Sequence, residues 1–330
     1  MRQTYSNWET LVVDDGSTDG TKEVVIKYAK KDSRIKLLER NRGPKGAPTC
    51  RNIGATNALG EYLLFLDSDD MLADYCLKRR LNKFSQHPEA DFIVYPTKLF
   101  HHHVGDLDIY WNKPVADRDD LTRFMDFDTP WQTSGPIWKK SSFIKLGGFD
   151  EEALSAQDWE LHIRALINKL NYVVVADIRK SDVYYRRHEH TISNSWLEKN
   201  KILNRVSLLD RVFMEIIGKG LPLTKEMKRC YAGNYFRSSL KLYLNHKDSL
   251  ALKTFVKIKT MELLPEHEYY FWWLYLYIQI QLNSRKNLQT FSIRIFDSLA
   301  YRLLGYQFNS GTNRYFLNYH WVADENSHPL

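Results

Sequence analysis

The chain has 330 residues, 43% of them hydrophobic and 14% aromatic, which is ample for a core and fits two units or one enlarged α/β domain. Its net charge of +7 is lopsided: residues 1–196 hold 28 Lys+Arg against 29 Asp+Glu, and residues 197–330 hold 19 against 11. Three scattered cysteines (Cys50, Cys76, Cys230) without a C-x-x-C exclude a disulfide framework, and the apolar stretch Tyr269–Leu282 falls short of the ~18 residues that span a bilayer.

The first half alternates strand and helix. Thr10–Val13 reads as a strand ending at DDGSTDGT, whose Gly/Ser/Asp cluster is turn chemistry and whose Thr18 or Asp19 can cap a helix running to about Lys31. Ile35–Leu38 is a second short strand, Asn41–Pro48 a Gly/Pro loop, and Thr49 caps a helix that stops at Gly60. The apolar run Tyr62–Leu66 follows and ends at Asp67-Ser68-Asp69-Asp70. Short runs of this kind read as buried parallel strands, and ligands of open α/β sheets bind beyond their carboxyl ends. A helix over Asp74–Gln86 and a strand over Phe92–Tyr95 continue the βαβ alternation.

Residues 96–135 are irregular and aromatic-rich, and resemble a long functional loop. KLGGFDEE, Lys145–Glu152, ends a short helix; Gln157–Leu170 reads as an amphipathic helix with Trp159, Ile163, Leu166, Ile167 and Leu170 on one side. Strands over Tyr172–Ala176 and Val183–Arg186 follow, and everything from Leu197 onward reads as helical, with Pro222 and Pro265 as punctuation. The expected division is residues 1–196 as an α/β domain and residues 197–330 as a basic helical region.

The chemistry gathers at strand ends and helix starts: Asp14 and Asp15, Asp67 and Asp69, and Asp158, with Arg51 and His188 besides. Clustered carboxylates repel unless a cation sits among them, and hard divalent cations take carboxylate oxygens. A D-x-D alone is more often an Asp-rich turn, so its context carries the reading. Neither G-x-G-x-x-G nor G-x-x-x-x-G-K-[ST] occurs, which argues against a dinucleotide fold and against P-loop phosphotransferases.

Four segments, ETLVVDDGSTDGT, RNIGATNALGEYLLFLDSDD, KLGGFDEE with AQDWELHIRAL, and YYRRHEHTIS, resemble in order and spacing the family 2 inverting glycosyltransferases of the GT-A fold. The resemblance covers about residues 3–195. It implies a Rossmann-like α/β fold with a mostly parallel sheet flanked by helices, here followed by an α-helical C-terminal region. It also implies that the usual first strand and helix of the family are missing, since the Q-T-Y-x-N-W segment starts at Gln3.

The resemblance assigns roles position by position. Asp14 and Asp15 would recognise the nucleoside base, Arg51 would lie along base and diphosphate, and Asp67 would hold the ribose. Asp69 would coordinate Mn2+ or Mg2+ bridging the diphosphate, with His188 reaching the metal or the leaving phosphate. Asp158 would be the catalytic base; the family often has Glu-Asp there, where this chain has Gln157-Asp158. Trp131, Gln132, Trp138 and Trp159 fall where the family lines its acceptor pocket, with core packing as the competing explanation. His101-His102-His103 reads as an exposed polar loop in preference to a metal site.

The implied activity is metal-dependent, inverting, hexosyltransferase-type transfer from a nucleotide-sugar, a UDP-sugar by the family's habit, to a glycan or lipid-linked acceptor in surface polysaccharide and cell-envelope synthesis. The alternative is a truncated, non-catalytic remnant that binds nucleotide-sugar or a partner. The expected location is cytoplasmic, with the basic C-terminal region offering acceptor binding or a peripheral contact at the inner face of the cell membrane. Nucleic acid is not an expected partner, because the basic residues of the tail are interspersed and no known module is present.

Overall fold

The computed structural model describes residues 1–111, 118–187, 199–245, 247–282, 295–296, 298–299, 302–304 and 322–323. It divides into two compact units: residues 1–115, 130–191 and 320–330 form the first, and residues 116–129 and 192–319 the second.

The first unit begins with β1 (Thr10–Asp14), α1 (Thr21–Ala29), β2 (Ile35–Glu39) and α2 (Ala47–Asn57). β1 and β2 pair in parallel from Thr10↔Ile35 to Asp14↔Glu39, and among the described residues they form a sheet of their own. Next come β3 (Tyr62–Leu64), β4 (Met71–Leu72), α3 (Cys76–Gln86), β5 (Phe92–Val94), β6 (Thr97–Phe100) and β7 (Ile109–Tyr110). After the excursion into the second unit, which contains α4 (Asp120–Met125), the chain returns as β8 (Pro136–Lys139), α5 (Lys140–Leu146), α6 (Gln157–Ile167), β9 (Tyr172–Val174) and β10 (Val183–Arg186).

One sheet has the order β3-β8-β5-β9, the other β7-β6-β10-β4 with Val322–Ala323 (β11) on the far side of β7. The sheets are mixed, not mostly parallel. β1–β2, β5–β9 and β6–β10 run parallel, whereas β8 lies antiparallel between β3 and β5. β4 also runs antiparallel to β10, and β7 to β6; β8 itself is only PIWK, at the end of a segment whose sequence has neither period 2 nor period 3.6.

Alternation along β5 explains the core. Ile93 points to α3 and packs with Phe84, Ala90, Tyr95 and Ile137. Phe92 faces the other way and stacks on Trp138 at 4.3 Å and on Tyr172 at 5.2 Å. Both faces are covered, so β5 is buried throughout. On that second side α6 buries Trp159, Leu161, His162, Ile163 and Ile167, and the His162 ring stacks on Trp138 at 6.0 Å. Burial pushes the His162 imidazole down to about 3, so it serves as a neutral core ring. Arg80 on α3 and Asp182 form a fully buried ion pair at 2.7 Å; Arg80 also donates to the carbonyls of Ser134 (3.1 Å) and Gly135 (3.0 Å), tying α3 to the chain ahead of β8.

The second unit is helical: α4 with α7 (Lys199–Gly218), α8 (Lys225–Leu244), α9 (Asp248–Thr260) and α10 (Glu266–Gln281). The aromatic run of α10 buries one side and leaves aromatic residues on the other. Tyr269, Trp272, Tyr275 and Leu276 are buried, with Tyr275 stacked on Phe236 at 5.5 Å, while Tyr270, Trp273 and Tyr277 are exposed. Buried Arg118 donates to Asp126 (3.2 Å) and to the Cys230 sulfur (3.1 Å). Lys257 pairs with Asp210 at 2.8 Å and Lys259 with Glu266 at 3.3 Å, so these lysines form a salt-bridged surface. Among the described residues, no helix is long and apolar enough to cross a membrane.

Candidate functional site

The site lies wholly in the first unit. β1 delivers Asp14 to a turn in which its carboxylate accepts the backbone N–H groups of Gly16 (3.0 Å) and Ser17 (3.1 Å), with Lys22 at 3.6 Å. A hydrogen bond from the Ser17 side chain, and then these N–H groups, hold the Asp14 carboxyl below its usual range against the opposing effect of burial. Gly16 has φ +90°, a conformation only glycine adopts freely, which is why the DDGS turn contains it. Asp15 ion-pairs with Arg40.

α2 supplies two neighbours with different tasks. Arg51 ion-pairs with Asp67, donates to Gln157 Oε1 at 2.9 Å, and lies over the Phe149 ring at 5.2 Å. One guanidinium thus joins the turn after β3 to the start of α6, a bridging task suited to its fork of donors. Asn52 docks the GGFD loop: its Nδ2 donates to the Phe149 carbonyl (2.9 Å) and to Glu151 (2.8 Å), and its Oδ1 accepts the Phe149 N–H (2.9 Å). Gly148 has φ +69°, and a Cβ there would stand 2.5 Å from Asn52 Oδ1. The second glycine of KLGGFDEE is therefore required by the close approach of Asn52, whereas the first, Gly147, ends α5 in the left-handed conformation at φ +95°.

Past β3 the four residues Asp67–Asp70 turn sharply, with the Asp70 N–H donating to the Asp67 carbonyl at 3.1 Å. Asp67 is part-exposed beside Arg51 and Asp69 is half-buried. Asp70 is buried; its carboxylate accepts the Arg186 N–H at 2.9 Å and lies 3.5 Å from the Ser134 hydroxyl. Burial, reinforced by the charges of Asp67 and Asp69, pushes the Asp70 carboxyl up to about 7.

Asp158 is the second residue of α6, whose N-cap is Ala156, a non-glycine residue at φ 56°. Left-handed backbone of this kind costs of order 1 kcal/mol and concentrates at functional sites. The Asp158 carboxylate accepts the Trp159 N–H at 2.9 Å. Its side chain is half-buried. Burial raises its carboxyl above the usual range; the Trp159 N–H and Arg51 pull it down, and Asp67 pushes it up again. Tyr185 on β10 reports the same gathering of charge: burial, then Asp70, Asp69, Asp158 and Asp67, hold its phenol well above the ordinary value.

Arg51, Asp67, Asp69 and Asp158 thus converge, with Asp70, Tyr185, Gln157 and Asn52 as neighbours. Asp14 and Asp15 sit at the end of the β1–β2 pair, each with a local partner. His188 lies outside the described residues. The four residues expected at an acceptor pocket are in the core. Trp138 and Trp159 are essentially inaccessible, Trp131 packs against Phe92 and Tyr172, and Gln132 donates to Thr97 at 3.1 Å. The backbone N–H groups of His101, His102 and His103 all bind Asp106, so that segment is a capped loop.

Sequence reasoning passed over Asn52, Gly148, Tyr185 and Arg186. The usable signals were the residue next to Arg51, the second glycine of a pair before Phe149, and a strand ending in two arginines at Arg186-Arg187.

Among the described residues no three His, Cys, Asp or Glu side chains converge as ligands. Asp67 is engaged by Arg51 and Asp70 by the Arg186 N–H. Such a donor set does not make an all-protein cage. It fits a hard cation held through one or two carboxylates and completed by diphosphate oxygens, the way Mg2+ is usually bound.

Comparison with known proteins agrees with this geometry. Residues 1–115 match the glycosyl transferase family 2 model. An uncharacterized glycosyltransferase of Haemophilus influenzae is 44% identical over 84 residues, 25% of this chain and 32% of its own length. The Escherichia coli UDP-Glc:alpha-D-GlcNAc-diphosphoundecaprenol beta-1,3-glucosyltransferase WfgD is 49% identical over 71 residues, 22% of this chain and 27% of its own. The chain spans about a third or less of the length of the curated relatives it first matches. Among solved structures, Staphylococcus aureus TarS 1–349 in complex with UDP-GlcNAc superposes with a TM-score of 0.62 at 22% identity, covering 96% of this chain and 93% of that one, a likeness of fold. The α/β unit that holds Arg51, Asp67, Asp69 and Asp158 thus has a GT-A-like fold, and its first 115 residues are similar to glycosyl transferase family 2.

Proposed function

We propose that this protein transfers a sugar, with inversion, from a UDP-type nucleotide-sugar to a hydroxyl of a glycan or lipid-linked acceptor, with Asp158 as the base. The observation that carries the reading is the convergence of Asp158, Arg51 and the Asp67–Asp70 turn in one acid-rich cluster.

Arg51 and Asp67 position the donor, and Asp14 and Asp15 at the end of β1 take the base end. Asp69, with His188, would hold Mn2+ or Mg2+. When bound, that cation supplies positive charge beside the oxygen that leaves with the β-phosphate. The acceptor oxygen attacks the anomeric carbon as the bond to the β-phosphate oxygen breaks, and Asp158 takes the hydroxyl proton, leaving UDP and an inverted glycoside. Burial makes Asp158 a stronger base than a surface carboxylate, while Arg51 favours the ionised form that the step needs. The direction matters: as pH falls through the raised Asp158 pKa the base is protonated and transfer stops.

WfgD is named for a UDP-Glc donor and a diphosphoundecaprenol-linked acceptor, and TarS was solved with UDP-GlcNAc. These names support a UDP-sugar donor and make a lipid-linked acceptor the first class to try. The basic helical unit, which contains most of the Lys and Arg excess, is proposed to meet an anionic acceptor or membrane surface.

A second reading, nucleotide-sugar binding without turnover, draws on one observation: among the described residues β1 and β2 stand apart from the four-stranded sheet. Radiolabelled UDP-sugar transfer to a lipid-linked acceptor decides between them. Turnover that vanishes in Asp158→Asn supports the first reading; donor binding with no turnover on any acceptor supports the second.

A further inference from the structure

Arg186, the last residue of β10, makes two directed contacts to the acid turn. Its backbone N–H donates to Asp70 Oδ1 at 2.9 Å, and its Nε donates to the carbonyl of Asp69 at 2.9 Å. Its Nη1 donates to the carbonyl of His101 at 3.1 Å, and its guanidinium lies over the Phe100 ring at 4.4 Å. β10 is in register with β6 on one side, Arg186↔Phe100, and with β4 on the other, Tyr184↔Met71. The side chain therefore links three backbone segments: the end of β10, the end of β6, and the turn between β3 and β4.

Successive carboxylates at 67, 69 and 70 repel, and a four-residue turn has few internal bonds with which to resist that. Within the turn, the Asp70 N–H donates to the Asp67 carbonyl at 3.1 Å. A guanidinium against the Asp69 carbonyl fixes the peptide plane and thereby the direction in which the Asp69 side chain leaves the backbone. Its charge also lowers the cost of gathering the acids. The two donors of Arg186 act on adjacent residues, so Asp70 is anchored inward as Asp69 is aimed outward.

We propose that Arg186 is a positioning residue for the donor site, holding Asp69 in the orientation that accepts a divalent cation carrying a nucleoside diphosphate. This rests on the nucleotide-sugar reading, and it gives Arg186 a role exercised through Asp69. Removing outer-shell partners of metal ligands typically costs about 10–100-fold in metal affinity or activity.

The test uses the full chain and calorimetric binding of two probes, UDP and uridine, each with and without Mn2+. Arg186→Met keeps the stem over Phe100 and removes the donors; Arg186→Lys keeps the charge and at most one of the contacts. Arg186→Met is expected to weaken Mn2+-dependent UDP binding about 10–100-fold, leaving uridine binding within twofold, with Arg186→Lys in between. A general loss of structure would lower both probes together, and that result overturns the proposal. So does Mn2+-dependent UDP affinity in Arg186→Met within twofold of the parent. If the parent chain shows no Mn2+-dependent UDP binding, the nucleotide-sugar reading fails first and the proposal falls with it.

Discussion

The contact between Gly148 and Asn52 permits a quantitative prediction. In Gly148→Ala the new methyl would stand 2.5 Å from Asn52 Oδ1 and 3.1 Å from its Cγ, on a backbone at φ +69°. Holding a non-glycine residue in that region costs about 1 kcal/mol. Relief of the clash requires the Asn52 amide to swing away, giving up its bonds with the Phe149 N–H (2.9 Å), the Phe149 carbonyl (2.9 Å) and Glu151 (2.8 Å). At about 0.5–1.5 kcal/mol each, with water replacing part of the loss, that adds roughly 2 kcal/mol. Urea unfolding of the α/β unit should therefore report a cost of about 3 kcal/mol. UDP binding should weaken as well, because Arg51 is the neighbour of Asn52. The control is Asn52→Ala, which removes the obstacle: on that background Gly148→Ala should cost only the backbone part, about 1 kcal/mol. Costs that simply add in the double variant, or a single-variant cost below about 0.5 kcal/mol, would refute the reasoning.

Asp158→Asn should lower transfer by about 10²–10⁴-fold with UDP affinity unchanged within threefold; near-normal transfer would remove Asp158 from the base role. The acid limb of the rate profile should lie above the ordinary aspartate range, because burial raises this carboxyl. In the helical unit, burial pushes Asp126 up to about 7 although Arg237 and Arg118 pull it down. Between about pH 4, where an unfolded Asp titrates, and pH 7 the folded state keeps a proton the unfolded state has released. Stability is therefore lost as pH rises through that window, by up to about 1.4 kcal/mol per pH unit from this group. Asp126→Asn should gain stability relative to the parent between pH 5 and pH 7, and an unchanged difference would contradict the assignment.

Parts of this architecture were legible because local chemistry and fold agree there. The DDGSTDGT turn after β1, the apolar run into the D-x-D, and the helix opening at Gln157-Asp158 each join a periodic segment to a cluster of turn or capping residues. What stayed hidden depends on distant pairing. β8 is four residues long and runs antiparallel because it slots between β3 and β5, which no local period announces. Trp131, Gln132, Trp138 and Trp159 look like pocket walls in sequence, yet an aromatic side chain packs a core as readily as it lines a cleft. The anchoring of Asp69 by Arg186 joins residues 117 positions apart, a separation at which sequence pattern carries no signal.

The central claim is that the acid turn and α2 build a nucleoside-diphosphate site that needs a divalent cation. Titration of UDP into the full chain, with and without Mn2+ and in parallel with Asp69→Ala, tests it most directly. The account predicts UDP binding that depends on Mn2+ and is lost in Asp69→Ala. A folded chain that ignores UDP, or one whose UDP affinity is the same without Mn2+ and without the Asp69 carboxylate, would contradict it.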